Sequence, residues 1–290
     1  MTPQRTRIGT TPMPDAYAGA PEPQVGGSAG AATPTTRSAH LTVDPGFVRS
    51  ALRRRLADDW AVQINACAWR RYTLMKPFLP CGPINALNIG TGGGVETVRL
   101  LRRGNWVTTI DIDAATARRT RARAERWGCA DRHEGKVGHV LQVDITGPFQ
   151  LVLMAEVLEH IADDFGALRR IADWLAPGGR LVLSTPTASY GMLPGDRLSV
   201  DEDGGHVRPG YDGPELDAML ARLGLVTLRR VYNSGVGCCW QHRLERRLRG
   251  HTATRPLGYA FGLACRPLMP LFDAIPYRRS DQITLATKLP

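Results

Sequence analysis

The chain has 290 residues, a formal net charge of +10 and 43% hydrophobic residues, enough for one substantial α/β core with appendages and not for two large independent domains. No uninterrupted apolar run approaches the ~20 residues that span a bilayer. The six cysteines (Cys67, Cys81, Cys129, Cys238, Cys239, Cys265) contain neither a C-x-x-C pair nor a structural-zinc spacing, so reduced thiols in a cytoplasmic protein are expected.

The positive charge is almost all arginine, lysine being confined to Lys76, Lys136 and Lys288. Because the arginines are scattered along the chain, they read mostly as solvated helix faces. No RNA- or DNA-reading motif accompanies them, so nucleic acid is not the expected partner. Contact with an anionic membrane surface stays open.

Residues 1–42 are rich in Thr, Pro, Gly, Ala and Ser with few large apolar side chains, the composition of a disordered tail without a signal-peptide core. From 43 to 83 the positions Phe47, Val48, Leu52, Leu56, Trp60, Val62, Ile64, Trp69, Tyr72 and Leu74 predict one or two helices capping the sheet.

The apolar run Leu87-Asn88-Ile89 then enters Gly90-Thr91-Gly92-Gly93-Gly94 and a helical pattern, Val95 to Arg103. A strand, a tight turn and a helix start in this order suit a nucleotide-like ligand laid against bare backbone. A second strand, Val107 to Ile110, ends at Asp111, where a carboxylate can accept hydrogen bonds from both ribose hydroxyls. The glycine spacing is G-x-G-x-G, not the G-x-G-x-x-G of dinucleotide enzymes.

Further along, the pattern predicts a helix at Ala114–Trp127, a strand near Val137–Val143, a strand at Leu151–Met154 and a helix at Ile161–Leu175. The turn Pro177-Gly178-Gly179-Arg180 precedes a strand at Leu181–Ser184, then come a helix at Pro214–Leu223 and a strand at Leu225–Tyr232. Such alternation gives a parallel sheet with right-handed crossovers, and ligands collect at the carboxyl ends of its strands.

With the glycine loop, Asp111, Val143-Asp144 and Glu156-Val157-Leu158-Glu159-His160 in this order, residues Ile84–Tyr232 and a final strand at Gln282–Thr287 resemble the class I S-adenosylmethionine-dependent methyltransferases. The resemblance implies a Rossmann-like α/β sheet, mostly parallel with an antiparallel last strand, and helices on both faces. It also implies S-adenosylmethionine as cofactor: Gly90 and Gly92 at its methionine end, Asp111 at the ribose and Asp144 beside the adenine, with Asn88, Thr91, Ile112, Ile145 and Ala155 around them. In the family an acid usually stands at Asn88 and commonly at Gln150. Asn88 can accept a hydrogen bond but brings no charge toward the cofactor's ammonium group.

Methyl transfer from a sulfonium is a direct displacement, so the protein must align a nucleophile and exclude water. A hydroxyl nucleophile also needs a base or a metal ion to remove its proton. On a helical turn, the spacing of Glu156, Glu159 and His160 would place all three on one side. Two carboxylates and an imidazole, with His206 swinging in after the fifth strand, form a candidate divalent-ion site. The E-x-x-E-H pattern with a later histidine resembles ubiquinone-pathway O-methyltransferases and the enzymes that methylate the terminal 2′-hydroxyl of small RNAs. That resemblance implies Mg2+ on Glu156, Glu159, His160 and His206. Structural roles for these residues, or His160 acting alone as base, are the competing readings, and His206 as a loop histidine bonded to backbone is another.

The core's last two strands are separated by residues 233–280, a cationic helical stretch Trp240–Arg249 followed by an aromatic segment Leu257–Ile275 broken by prolines. It reads as a lid whose apolar residues complete a dimer contact or an acceptor pocket with Tyr190, Leu193 and Trp240, or as a surface that lies on a membrane or receives a lipid-linked substrate. Residues 281–290 complete the sheet. The expected activity is O-methylation of a small or lipid-like molecule. The alternatives are C- or N-methylation of a natural product, a non-catalytic cofactor-binding scaffold and, less expected, RNA 2′-O-methylation. Oligomeric state is not encoded in any recognisable pattern.

Overall fold

The computed structural model describes residues 66–188, 197–233, 236–274 and 280–290. The expected tail, most of the expected cap, and Tyr190, Leu193 and Ile275 lie outside these residues. Seven strands form one sheet: β1 (Asn85–Ile89), β2 (Trp106–Asp111), β3 (His133–Val137), β4 (Phe149–Ala155), β5 (Leu175–Pro186), β6 (Leu225–Asn233) and β7 (Asp281–Lys288). Their order is β3-β2-β1-β4-β5-β7-β6. The β1 to β5 pairings are parallel, and β7 runs antiparallel between β5 and β6.

The apolar strands are buried on both faces, and their period of two divides the core. Leu87, Val152, Met154, Leu181 and Leu183 face one cluster, with residues of α4 (Asp164–Trp174) and α5 (Gly213–Ala221). Ala86, Leu151, Leu153, Val182 and Ile283 face the other, with α1 (Ala66–Met75), α2 (Val95–Arg102) and α3 (Ala114–Arg126). The chain leaves β1 in one direction and β4 in the other, so the switch point of the sheet opens between their carboxyl ends.

Several boundaries differ from the sequence reading. The strand expected near Val137–Val143 lies earlier, at His133–Val137. As an edge strand it tolerates polar residues, whereas Val140 is buried in the first cluster from a turn in which Gln142 and Val143 N–H donate to the His139 carbonyl. Helix α4 starts at Asp164, not Ile161, because the Asp163 side chain caps it by accepting from the Gly166 N–H at 2.8 Å. Strand β5 runs through the expected glycine turn, with a register shift against β4.

Residues 236–274 form α6 (Val236–Gly250), α7 (Arg255–Cys265) and the short α8 (Met269–Asp273). They pack on α1, where Ala66, Cys265 and Met269 form a small core with Trp69, Phe261 and Phe272 around it. The expectation of reduced cysteines is corrected here, since Cys67 is disulfide-bonded; Cys81, Cys129 and Cys265 are free. Among the described residues no helix is long and apolar enough to cross a membrane.

Candidate active site

The turn after β1 is built from backbone that other residues resist. Gly90, Gly92 and Gly94 have φ of 70°, 50° and 72°. A Cβ on Gly90 would also stand 2.2 Å from Val157 Cγ2, so the turn closes against the segment after β4 only with glycine there. Thr91 donates its N–H and its hydroxyl to Asp111 Oδ2 at 2.8 and 2.9 Å. The other oxygen, Oδ1, accepts from the Asp113 N–H at 3.0 Å. Asp111 therefore fixes the glycine turn to the end of β2.

Beside this turn lies a mainly apolar cleft of about 250 Å³, lined by Ile89, Gly90, Asp111, Ile112, Val140, Val157, His160 and others. Ile112 is 65% exposed at its mouth. Of the remaining residues expected around a cofactor, Asn88 is buried and donates its amide to Thr97 Oγ1 at 2.8 Å, which ties β1 to α2. Ala155 ends β4 opposite Ser184. Asp144 is exposed beyond the turn after β3, while Ile145 packs on the core; neither lines this cleft.

Glu156, at the end of β4, has φ of 55°, unusual for a residue with a side chain and a mark of local strain. The 3-10 turn begins only at Leu158, so the helical spacing argument does not reach Glu156. Its carboxylate pairs with Arg71 at 3.0 Å and accepts from Ser184 Oγ at 2.7 Å. Arg71 also lies 3.5 Å from Asp281. Burial pushes the Glu156 carboxyl up to about 7, Arg71 opposing and Asp281 adding to the rise. Burial also works against charge on Arg71, but Glu156 and Asp281 outweigh it and raise its pKa.

Glu159 is 0% exposed, and neither carboxylate oxygen has a hydrogen-bond partner. Burial and then the neighbouring Glu156 hold its pKa well above the usual carboxylate range. His160 Nε2 stands 3.8 Å from Glu159 Oε1, and the His160 and His206 rings meet edge to face at 4.7 Å. Ligand atoms of Glu159, His160 and His206 all lie within 4.8 Å of one another. The structure thus brings three of the four expected metal residues together and gives Glu156 another partner.

The loop after β5 places His206. Val207 N–H donates to the Glu159 carbonyl at 2.9 Å, and Ser199 N–H to the His206 carbonyl at 2.8 Å. His160 Nδ1 is 2.9 Å from the Gly205 carbonyl. A carbonyl can only accept, so Nδ1 carries the proton of this bond, and the ring is held with Nε2 facing Glu159. Glu202 straps the same loop across the cleft, accepting from the Ala162 N–H at 2.6 Å and pairing with His139 at 3.0 Å.

Sequence reasoning missed Arg71, Asp281, His139 and Glu202. Glu202 sits in an acidic run that reads as solvated surface. Arg71 and Asp281 reach Glu156 from opposite ends of the chain, and no local pattern announces that. Trp240, expected in an acceptor pocket, is 64% exposed on α6.

A sheet of this order with its glycine turn and β2 acid at the switch point is the Rossmann-like architecture of class I S-adenosylmethionine-dependent methyltransferases. A family model described as a methyltransferase domain matches residues 64–229, more than half of the chain, and the chain belongs to that family. It is 33% identical over 106 residues to a ubiquinone biosynthesis O-methyltransferase of Caulobacter sp. (strain K31), covering 37% of this chain and 42% of the relative. A protein of the same description from Psychrobacter arcticus is 34% identical over 168 residues, covering 50% and 65%. The chain therefore spans less than two thirds of the length of these relatives. Among solved structures, a putative sarcosine dimethylglycine methyltransferase from Galdieria sulphuraria superposes with a TM-score of 0.55 at 16% identity, covering 77% of this chain and 84% of that one. At that identity the likeness concerns the fold alone.

Proposed function

We propose that this protein transfers the methyl group of S-adenosylmethionine to a hydroxyl oxygen of a small or lipid-like acceptor, with a divalent cation, Mg2+ in the first instance, held by Glu159, His160 and His206. One observation carries the metal assignment: a fully buried carboxylate with both oxygens orphaned, beside two imidazoles, at the rim of the cofactor cleft. A buried carboxylate in that state needs a proton or a cation. The donor set, one carboxylate oxygen and two imidazole nitrogens, fits a divalent ion that keeps open positions for acceptor oxygens.

The cofactor belongs in the cleft beside Gly90, its ribose hydroxyls against Asp111 and its adenine near Ile112. When bound, the cation supplies charge that lowers the pKa of an acceptor hydroxyl. Gly205 holds the His160 ring with Nε2 facing Glu159. Glu156, engaged by Arg71 and Ser184, supports the turn that carries Glu159. The apolar lining and the Glu202 strap keep water from the sulfonium. The relatives named for ubiquinone biosynthesis O-methylation support an oxygen acceptor, and vicinal hydroxyls such as a catechol are the first acceptors to assay.

Calorimetric titration of Mg2+ and Mn2+ into protein saturated with S-adenosylhomocysteine tests the cation site. Saturable binding that disappears in Glu159→Gln is expected. No binding to the unsubstituted protein would remove the cation from the mechanism and leave His160 as the base.

A further inference from the structure

Helix α7, the 3-10 turn Arg266–Leu268 and α8 follow one another without a break. Along them Leu257, Ala260, Ala264, Leu268 and Leu271 are exposed, and their spacing of three or four residues puts them on one face. Leu257, Leu268 and Leu271 are 62%, 44% and 65% exposed. Gly258, Gly262, Cys265 and Met269 recur on a second face and are buried, the last two with Ala66 of α1. An amphipathic helix ordinarily turns its large apolar side chains inward. This one packs a face containing two glycines and shows its leucines to solvent, the mark of an interaction surface.

Helix α6 is divided in a matching way. Trp240, Arg243 and Arg247 share an exposed face, whereas Gln241 and Glu245 are buried, with Gln241 Oε1 3.4 Å from Cys67 Sγ of α1. Both helices thus turn their buried sides to α1, and Trp240, the two arginines and the leucines point away from it together.

The charge around this face has one sign. Between residues 240 and 272 the exposed, fully charged side chains are Arg243, Arg246, Arg247 and Arg255, and the acid in that stretch, Glu245, is 1% exposed and bonded to Gln241 and Arg249. Arg243 and Arg247 have no acidic partner among the described residues. Pairing this face with a second copy of itself would bring arginines toward arginines. A negatively charged layer with an apolar interior matches both features, since it attracts the cations and accepts the leucines and the indole. Among the described residues no helix is long and apolar enough to cross a membrane, so contact at the surface is what this face can make.

We propose that the outer face of α6–α8 docks on an anionic lipid bilayer, with Trp240 and the exposed leucines entering the interface and Arg243 and Arg247 drawn by the negative surface potential. Docking needs neither cofactor nor acceptor and is independent of the methyl-transfer reading.

Co-sedimentation of the full chain with vesicles of phosphatidylglycerol and phosphatidylcholine, against vesicles of phosphatidylcholine alone, tests this. Binding to the mixed vesicles is expected, weaker on phosphatidylcholine and falling as salt is raised. Leu257→Ser/Leu271→Ser should lower the partition coefficient about tenfold or more, whereas Leu289→Ser, 55% exposed near the end of β7, should leave it unchanged. Arg243→Ala/Arg247→Ala should lower it about tenfold. Arg169→Ala/Arg222→Ala removes two exposed arginines that flank Phe165 of α4, on the opposite face of the sheet from α1, and should bind as the parent does. Unchanged melting temperatures and S-adenosylhomocysteine affinity would show that the variants are folded. The docking assignment is overturned if the parent ignores the mixed vesicles, if the leucine variant binds them as the parent does, or if loss of Arg169 and Arg222 weakens binding as much as loss of Arg243 and Arg247. A parent dimer in sedimentation velocity that the leucine variant dissociates, without vesicle binding, would assign the face to a second copy instead.

Discussion

The two rims of the cleft are built on opposite principles. On the glycine side every strong polar group has a partner: Asp111 is satisfied by Thr91 and Asp113, and Asn88 by Thr97. On the side after β4, Glu156 has a left-handed backbone and a contested charge, and Glu159 is buried with nothing bonded to its oxygens. The first rim is finished as protein, whereas the second holds a buried carboxylate with no hydrogen-bond partner. A rim of fixed geometry suits an invariant cofactor, and an electrically unfinished one suits chemistry that moves a proton.

The sharpest break of the first rim is Gly90→Ala. A left-handed φ and a Cβ 2.2 Å from Val157 should cost about 2–4 kcal/mol and abolish measurable cofactor binding, as read by denaturant unfolding and S-adenosylhomocysteine titration. On the second rim, His160→Ala should lower methyl transfer to a catechol acceptor on the order of 100-fold while cofactor affinity changes little. Equal losses in both quantities would contradict the division of labour between the rims. Asp111→Asn removes a charged acceptor from Thr91 and should weaken S-adenosylhomocysteine about tenfold.

The pH dependence of stability separates the rims further. Glu156 and Glu159 have raised pKa values in the folded protein, so the folded state holds protons that the unfolded state has lost. In metal-free protein the contribution of these two groups should therefore be fully present below the ordinary carboxylate range and be lost as pH rises through about 7, where Glu156 ionises. Denaturant unfolding in chelator from pH 5 to 8 should show this decline, flattened in Glu159→Gln. A stability that rises over this interval in the parent and not in the variant would overturn the assignment. The smallest effect is expected from Glu202→Gln. Loss of its partly exposed pair with His139 should speed S-adenosylhomocysteine release by about threefold, read by stopped flow, with stability changed by less than ~1 kcal/mol.

Much of the first rim is legible in the chain. Leu87 to Gly94 spells a strand, a turn and a helix start within a few residues, and Asp111 follows at the next strand end. The second rim is only half legible. His160 and Glu159 stand in one short motif, but Arg71 and Asp281 meet Glu156 from distant segments. The left-handed conformation of Glu156 also defeats the helical spacing that the motif suggests.

The sequence by itself determined the alternation of strands and helices and the glycine turn, because these follow from residue periodicity and backbone sterics over short spans. It also carried the arginine face of α6, which repeats at helical spacing. Only the tertiary structure decided which charges are buried, which are paired and which are left open. Those outcomes depend on the packing of α1, the loop after β5 and α6–α7 around the sheet, where desolvation and distance, not residue identity, set the energy of each group.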